Sequence, residues 1–141
     1  MREVMRWPIW LIFLVICFDL SILLAIWASL GNMATIITAI ILTISTIYFY
    51  HATSLTIELT SDRLRAGRAN IEVKYLKKVE VLSREDMSFH RGAGINPQAY
   101  LALRFWVKKG LKVEIADPRD PTPFWLISSK HPERFLERLN P

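Results

Sequence analysis

The feature that most constrains this chain is an apolar run that begins at Trp7 and ends at Tyr50. Apart from Cys17 and the tyrosines, its only ionisable side chain belongs to Asp19. The elements of a soluble globular domain carry charged residues, because each of them has a side that faces water. The run therefore excludes an ordinary soluble domain. It divides the chain into a membrane segment, residues 1–50, and a polar β-rich domain, residues 51–141.

The apolar run is long enough for two membrane spans. Residues 7–30 would form about 36 Å of helix, and a hydrocarbon core is about 30 Å thick. A secretory signal peptide has a shorter apolar region of about 7–15 residues. Gly31 and Asn32 are typical of a turn, and residues 33–50 supply about 27 Å more. We therefore predict transmembrane helices at 7–30 and 33–50, joined as an antiparallel hairpin.

The distribution of basic residues predicts the orientation of the hairpin. Arg2 and Arg6 precede the first span, Arg63, Arg65 and Arg68 follow the second, and the connecting turn has no Lys or Arg. Cytoplasmic flanks of membrane spans are enriched in Lys and Arg. We therefore predict a multi-pass protein of the plasma membrane with both termini in the cytoplasm.

Asp19 is the candidate intramembrane polar site, because a carboxylate at the bilayer centre costs roughly 2.5–3.5 kcal/mol. A helical projection gives the second span a face of small and hydroxyl residues: Thr35, Thr38, Ala39, Thr43, Ser45 and Thr46. It gives the first span a small-residue stripe: Cys17, Ser21, Ala25 and Ala28. If these two faces pack together, Asp19 points outward, toward a second copy or another membrane protein. The alternative is a protonated Asp19 that bonds to a threonine hydroxyl of the second span.

After residue 50, alternation of apolar and polar residues predicts short strands. They are expected at 55–59, 64–66, 71–73, 79–82 and 124–128. We further predict a loop at 83–98, a hairpin of 101–107 with 111–115, a proline-rich connector at 117–123, and a helix from Pro132. The fold class is thus an α+β membrane protein, a transmembrane hairpin followed by a small β-rich domain with a terminal helix. The order of elements resembles a pleckstrin-homology-like module.

Three segments carry a resemblance to a known family: residues 97–101, residues 104–107 and, most specifically, residues 117–133. The positions that mark the last segment are Asp117, Pro118, Asp120, Pro121, Pro123, Trp125, His131 and Pro132. The sequence resembles the actinobacterial two-span membrane family catalogued as domain of unknown function thirty ninety-three. The resemblance covers nearly the whole chain and implies a membrane location and this architecture. The family has no established activity, cofactor or substrate to carry over.

The sequence contains no clear motif for catalysis, metal binding or cofactor binding. His51, His90 and His131 are scattered and lack the spacing of metal ligands, and no glycine-rich phosphate loop is present. Ser128 and His131 are ingredients of a nucleophilic triad, but no Gly-x-Ser-x-Gly elbow presents the serine. We therefore predict no catalytic residue, no metal and no cofactor. The net charge of +5 comes without a nucleic-acid recognition motif, so no nucleic-acid partner is expected.

A set of basic residues is the candidate contact with anionic lipid headgroups: Arg63, Arg65, Arg68, Lys77 and Lys78. Each basic residue near a membrane surface contributes on the order of 1 kcal/mol. The alternative is a solvated face that only enforces orientation.

The expected function is a non-catalytic, membrane-tethered module that binds protein or anionic lipid at the cytoplasmic face. The second hypothesis is a small accessory subunit of a transporter or membrane enzyme, with Asp19 in a shared transmembrane site. The expected partners are the lipid bilayer, a second copy, or another membrane protein.

Overall fold

A computed structural model describes residues 1–139 of the chain, which form two compact units. One unit, here called the helical unit, comprises Arg6–Ser54. The other, the β unit, combines Met1–Met5 with the chain from Leu55 onward. The boundary therefore differs from the expected one between residues 50 and 51, because the first five residues belong with the C-terminal part. Four strand residues are too few to show a readable period in the sequence.

The helical unit contains one assigned helix, α1 (Ile9–Thr53), where the sequence predicts two separate helices. Its length and composition would allow it to cross a membrane. The backbone of Gly31 is not helical, with φ of 79° and ψ of −170°. A positive φ is accessible to glycine because glycine has no Cβ. Gly31 thus divides α1 into a first arm, residues 9–30, and a second arm, residues 32–53.

Side chains of the two arms contact each other. The Thr46 hydroxyl donates a hydrogen bond to Asp19 Oδ2 at 3.0 Å, although the two residues are 27 positions apart. In a straight helix that separation would be about 40 Å. Near the outer ends, the indole N–H of Trp7 donates to Thr53 Oγ1 at 2.6 Å, and its ring meets that of Tyr50 at 5.6 Å between centroids. The chain therefore reverses direction at Gly31.

The first sheet of the β unit is antiparallel, in the order β1-β2-β3-β4. Its strands are β1 (Arg2–Met5), β2 (Leu55–Leu59), β3 (Arg63–Ala66) and β4 (Ala69–Glu72). The strand pair β1–β2 joins chain segments on either side of α1, with Met5 opposite Leu55. Alternate residues point into the core, and these are buried: Met5, Leu55, Ile57, Leu59, Leu64, Ala66 and Ile71.

The second sheet has the order β5-β7-β8-β6. Its strands are β5 (Leu76–Leu82), β6 (Tyr100–Ala102), β7 (Gly110–Ile115) and β8 (Phe124–Ser128). The predicted hairpin of 101–107 with 111–115 is wrong, because β6 pairs with β8 in parallel and β8 lies between β6 and β7. The chain leaves the sheet after Ala102 and turns where the Val107 N–H bonds to the carbonyl of Arg104 at 3.0 Å.

The predicted loop at 83–98 contains a helix, α2 (Arg84–Arg91). Ser83 and Asp86 form a capping box, in which each side chain accepts a hydrogen bond from the backbone N–H of the other residue. This arrangement satisfies two donors at the helix start that would otherwise lack partners. The capping motif is visible in the sequence, but the surrounding polar residues obscure the helical period.

The chain closes with α3 (Pro132–Leu139), as predicted. Phe135 on this helix is fully buried and joins a core made by both sheets, with Ile57, Val113 and Ile127 among its members. The β unit is therefore a two-sheet structure with a terminal helix, and the chain as a whole is α+β.

Candidate functional site

Asp19 lies on the face of the first arm that packs against the second. The half-buried residues of that face are Leu11, Val15, Asp19, Ile22, Leu23 and Ile26. The small-residue stripe, Cys17, Ser21, Ala25 and Ala28, is exposed instead. The expectation that this stripe packs on the second arm and turns Asp19 outward is therefore wrong. Thr46 gives the Asp19 carboxyl group a hydrogen bond that an outward-facing carboxyl would lack.

The second arm is arranged largely as the sequence predicts. The half-buried positions include five of the small and hydroxyl residues: Thr35, Thr38, Ala39, Ser45 and Thr46. Thr43 is exposed and donates to the carbonyl of Ala39 at 2.8 Å within its own helix. The six isoleucines are exposed: Ile36, Ile37, Ile40, Ile41, Ile44 and Ile47. The second arm thus separates an apolar outer face from a polar inner face.

The strand register of the first sheet shows that some residues of the predicted basic cluster have acidic neighbours. Arg65 lies opposite Glu58, and Arg63 lies opposite Glu72. Opposite charges on neighbouring strands attract each other across the sheet. Lys78 forms an ion pair with Glu80 on its own strand. Three of the five candidate lipid contacts therefore have acidic neighbours.

The pKa shifts of Glu72 and Glu80 agree with such compensation. A hydrogen bond from Lys74, whose Nζ lies 2.5 Å from Glu72 Oε2, is the largest cause that lowers the pKa of Glu72. The charge of Arg63 lowers it further. The hydrogen bond from Lys78 lowers the pKa of Glu80, and the same bond raises the pKa of Lys78. These charges stabilise one another within the β unit.

Arg68 is different, because it occupies the exposed turn between β3 and β4. Ala66 pairs with Ala69, which leaves Gly67 and Arg68 as a two-residue hairpin loop. Gly67 has a φ of 62°, as a tight hairpin of this kind requires at its first central position. The Gly67 N–H also bonds to the carbonyl of Thr56 at 2.9 Å, which fixes the turn to β2.

The turn lies at the end of the first sheet where the chain leaves for α1 and returns from it. Antiparallel pairing places Ala66 opposite Ile57, near the start of β2, and places Arg63 toward the other end. Met5, the last residue of β1, pairs with Leu55, the first residue of β2. The Tyr100 hydroxyl donates to the carbonyl of Ala66 at 2.9 Å and braces this end from the second sheet.

The segment that most resembles the family has turn-forming and core roles. Asp117 accepts the backbone N–H of Arg119 at 2.9 Å, which is the largest cause that lowers the pKa of Asp117. Asp120 likewise accepts the N–H of Thr122 at 2.9 Å. Trp125 is buried, and its ring lies 5.2 Å from that of Tyr100. The exposed prolines Pro118, Pro121 and Pro123 lie in the connector between β7 and β8.

Two buried serines after this connector tie distant parts of the β unit together. Ser129 Oγ donates to Glu3 Oε2 at 2.7 Å, and the N–H of Lys130 donates to Glu3 Oε1 at 2.8 Å. Ser128 Oγ accepts the backbone N–H of Arg104 at 2.9 Å. Ser128 Oγ therefore accepts hydrogen bonds from a backbone N–H and from the side chain of Arg91. The described residues 1–139 contain no group of three or more His, Cys, Asp or Glu placed to hold a metal ion.

Arg91 is a structural residue that sequence reasoning misses, because it lies in the predicted loop. Its Nη2 donates to the carbonyls of Val107 at 2.7 Å and Arg104 at 3.1 Å. It also donates to Ser128 Oγ at 3.3 Å. Burial lowers the pKa of Arg91. The side chain thus holds the turn that redirects the chain after β6.

These features define the class of the protein. It is an α+β protein that joins a helix long and apolar enough to cross a membrane to a two-sheet β unit. The chain belongs to the family described as Protein of unknown function (DUF3093), which matches residues 1–139 and confirms the resemblance noted in the sequence. No curated protein and no solved structure matches the chain.

Proposed function

We propose that this chain is a membrane-tethered, non-catalytic module. The two arms cross the plasma membrane as an antiparallel hairpin, and the β unit remains at the cytoplasmic surface, where it binds protein or anionic lipid. The pairing of Met5 with Leu55 is the observation that carries the proposal.

The pairing restricts how α1 can cross a bilayer. Directly paired residues of antiparallel strands have Cα atoms about 4.5–5.5 Å apart. A helix that crossed once would separate its two ends by about 30 Å of hydrocarbon. Residues on both sides of α1 could not then join one sheet. The β1–β2 pair therefore supports an even number of crossings, and the contact between Asp19 and Thr46 supports two arms side by side.

The cytoplasmic location of the β unit rests on charge. Arg2 and Arg6 precede the first arm, Arg68 lies in the sheet that follows the second, and Asn32 marks an uncharged connection between the arms. The bias of Lys and Arg toward cytoplasmic flanks supports an orientation with the β unit inside the cell and Asn32 outside.

The proposed module is pleckstrin-homology-like in its order of elements. Two four-stranded sheets followed by α3, which packs against β5, support that assignment. The parallel pairing of β6 with β8 is an additional feature that the element order alone does not predict.

Extraction of isolated membranes tests the tether. We expect the full chain to stay with the membrane in alkaline carbonate and to be released only by detergent. Release of the chain by carbonate alone would contradict the proposal, because a transmembrane hairpin has no aqueous route out of the bilayer.

A second candidate function is that of an accessory subunit of a transporter or membrane enzyme. The observation that favours it is the half-buried Asp19, since ionisable residues inside membranes commonly mark functional sites. Co-purification in mild detergent discriminates the two functions. A stable membrane-protein partner that no longer co-purifies with Asp19→Leu would favour the role of accessory subunit. If no membrane protein co-purifies with the wild-type chain, the tethered module is favoured.

A further inference from the structure

We infer that the β3–β4 turn is the place where the β unit meets an anionic lipid headgroup, with Arg68 as the contacting residue. This inference rests on the proposed function and narrows it, since it assigns headgroup binding to one basic residue of the five that the sequence nominates.

The first argument is position. The turn of Gly67 and Arg68 lies at the same end of the first sheet as Met5 and Leu55. Only Arg6, Trp7 and Pro8 separate Met5 from α1, and only Ser54 separates α1 from Leu55. These short connections join this end of the sheet, along the chain, to the segment that the proposed function assigns to the bilayer.

The second argument is charge compensation. Arg63 and Arg65 lie opposite glutamates, and Lys78 is paired with Glu80. None of Arg63, Arg65 and Arg68 forms an ion pair among residues 1–139. Arg68 differs because it lies in the turn, without an acidic residue opposite it in the strand register, and is exposed. A guanidinium group binds phosphate through two parallel hydrogen bonds, so a lipid phosphate is the partner that its chemistry fits.

The third argument is rigidity. The positive φ of Gly67, the bond from its N–H to Thr56 and the hydroxyl of Tyr100 on Ala66 all fix the turn. A fixed turn presents Arg68 with less loss of conformational freedom on binding than a mobile loop would.

Lys77 offers a matched control. It is exposed and lacks an ion pair within residues 1–139, as Arg68 does. However, Lys77 lines a cleft together with Val73. The N–H of Val73 bonds to the carbonyl of Asp62, which lies in the β2–β3 turn. That turn is at the end of the first sheet opposite to Arg68. Position, rather than charge, distinguishes the two residues.

The test uses the full chain in detergent, titrated with phosphatidylglycerol and followed by native mass spectrometry. Arg68→Gln should weaken lipid binding about fivefold, the expected effect of one basic residue at a membrane surface. Lys77→Gln and Arg63→Gln should leave it unchanged, and added salt should reduce the difference between wild type and Arg68→Gln. The dependence on Arg68 should be smaller for phosphatidylcholine, because its choline cation offsets the charge of its phosphate, and free glycerol phosphate should not compete.

Unchanged binding by Arg68→Gln, or an equal loss in Lys77→Gln, would overturn the assignment. Competition by glycerol phosphate would also overturn it, since the site would then bind a soluble anion. Carbonate extraction separates this result from the wider proposal. If the chain stays in the membrane and Arg68→Gln leaves lipid binding unchanged, only the headgroup site is refuted. If carbonate releases the chain, the membrane tether itself is refuted.

Discussion

Glu3 accepts a hydrogen bond from the buried hydroxyl of Ser129 at 2.7 Å, although the two residues are 126 positions apart in the sequence. Glu3 lies before α1 and Ser129 lies near the end of the chain, so the bond joins segments from both sides of the helix. Together with the pairing of Met5 and Leu55, it makes the first strand an integral part of the β unit. A fragment that begins at residue 51 would lack Met5, which is fully buried in the core.

Glu3→Ala should destabilise the β unit by about 1–3 kcal/mol, because Ser129 Oγ and the N–H of Lys130 would lose their acceptor. Thermal or urea unfolding of the full chain in detergent measures the change. Glu137→Ala, at an exposed position on α3, is the control and should change stability little. Equal stability of the two variants would show that the bond to Ser129 contributes nothing.

Gly67→Ala should destabilise the β unit by about 1–2 kcal/mol, because a side chain at positive φ is strained. The new Cβ would also lie 3.1 Å from Leu55 Cδ1. Gly92→Ala is the matched control, since Gly92 has a φ of −118° and its added Cβ would come no closer than 3.5 Å to Ser88. Unfolding midpoints compare the two, and a smaller loss for Gly67→Ala would contradict the account.

Asp19→Asn should preserve the association of the arms, because its amide oxygen can still accept the hydrogen bond from Thr46. Asp19→Leu and Thr46→Val should each weaken it by about 0.6 kcal/mol, up to about 1.7 kcal/mol. A double-mutant cycle on unfolding in detergent measures the coupling. Thr43→Val is the control, since Thr43 is exposed and bonds within its own helix. A coupling of zero would show that the Asp19–Thr46 bond does not hold the arms.

The carboxyl group of Asp86 should titrate below its ordinary range. The hydroxyl of Ser83 is the largest cause that lowers the pKa of Asp86, followed by the backbone N–H of Ser83. Because the folded pKa lies below the unfolded one, this stabilisation is complete above about pH 4 and is lost as the pH falls through the folded pKa. NMR titration should show that Ser83→Ala raises the pKa of Asp86. Ser88→Ala on the same helix should not, and equal shifts in both variants would refute the capping interaction.

Some of this structure is readable from the sequence, and physical reasons explain the rest. The strand at 55–59 alternates apolar and polar residues, and the predictions of that strand, of the strand at 124–128 and of the terminal helix agree closely with the structure. The apolar run is readable as a long helical segment, but the structure has one helix, α1, where two were predicted. The pairing of β6 with β8 is not readable, because it joins Tyr100 to Trp125 and bypasses β7, the strand that follows β6 in the sequence. The direction of Asp19 is not readable from a projection of one arm, because it depends on which face of that arm packs against the second.

The sequence alone cannot choose among the candidate lipid contacts. Composition identifies the basic residues, but it cannot separate Arg68 from Arg63, since both are arginines close together in the sequence. The strand register separates them, because it places Arg63 opposite Glu72 and Arg68 in a turn. That register depends on long-range pairing, which short sequence windows do not encode.

The central claim is that α1 crosses the membrane and returns, and cysteine accessibility in intact cells tests it most directly. In a Cys17→Ser background, single cysteines replace Arg2, Asn32 or Ser61, which are all exposed. A membrane-impermeant maleimide should label the cysteine at position 32 in intact cells, and should label those at positions 2 and 61 only after the cells are opened. Labelling of positions 2 and 61 on opposite sides of the membrane would contradict the account, because β1 and β2 could not then form one sheet.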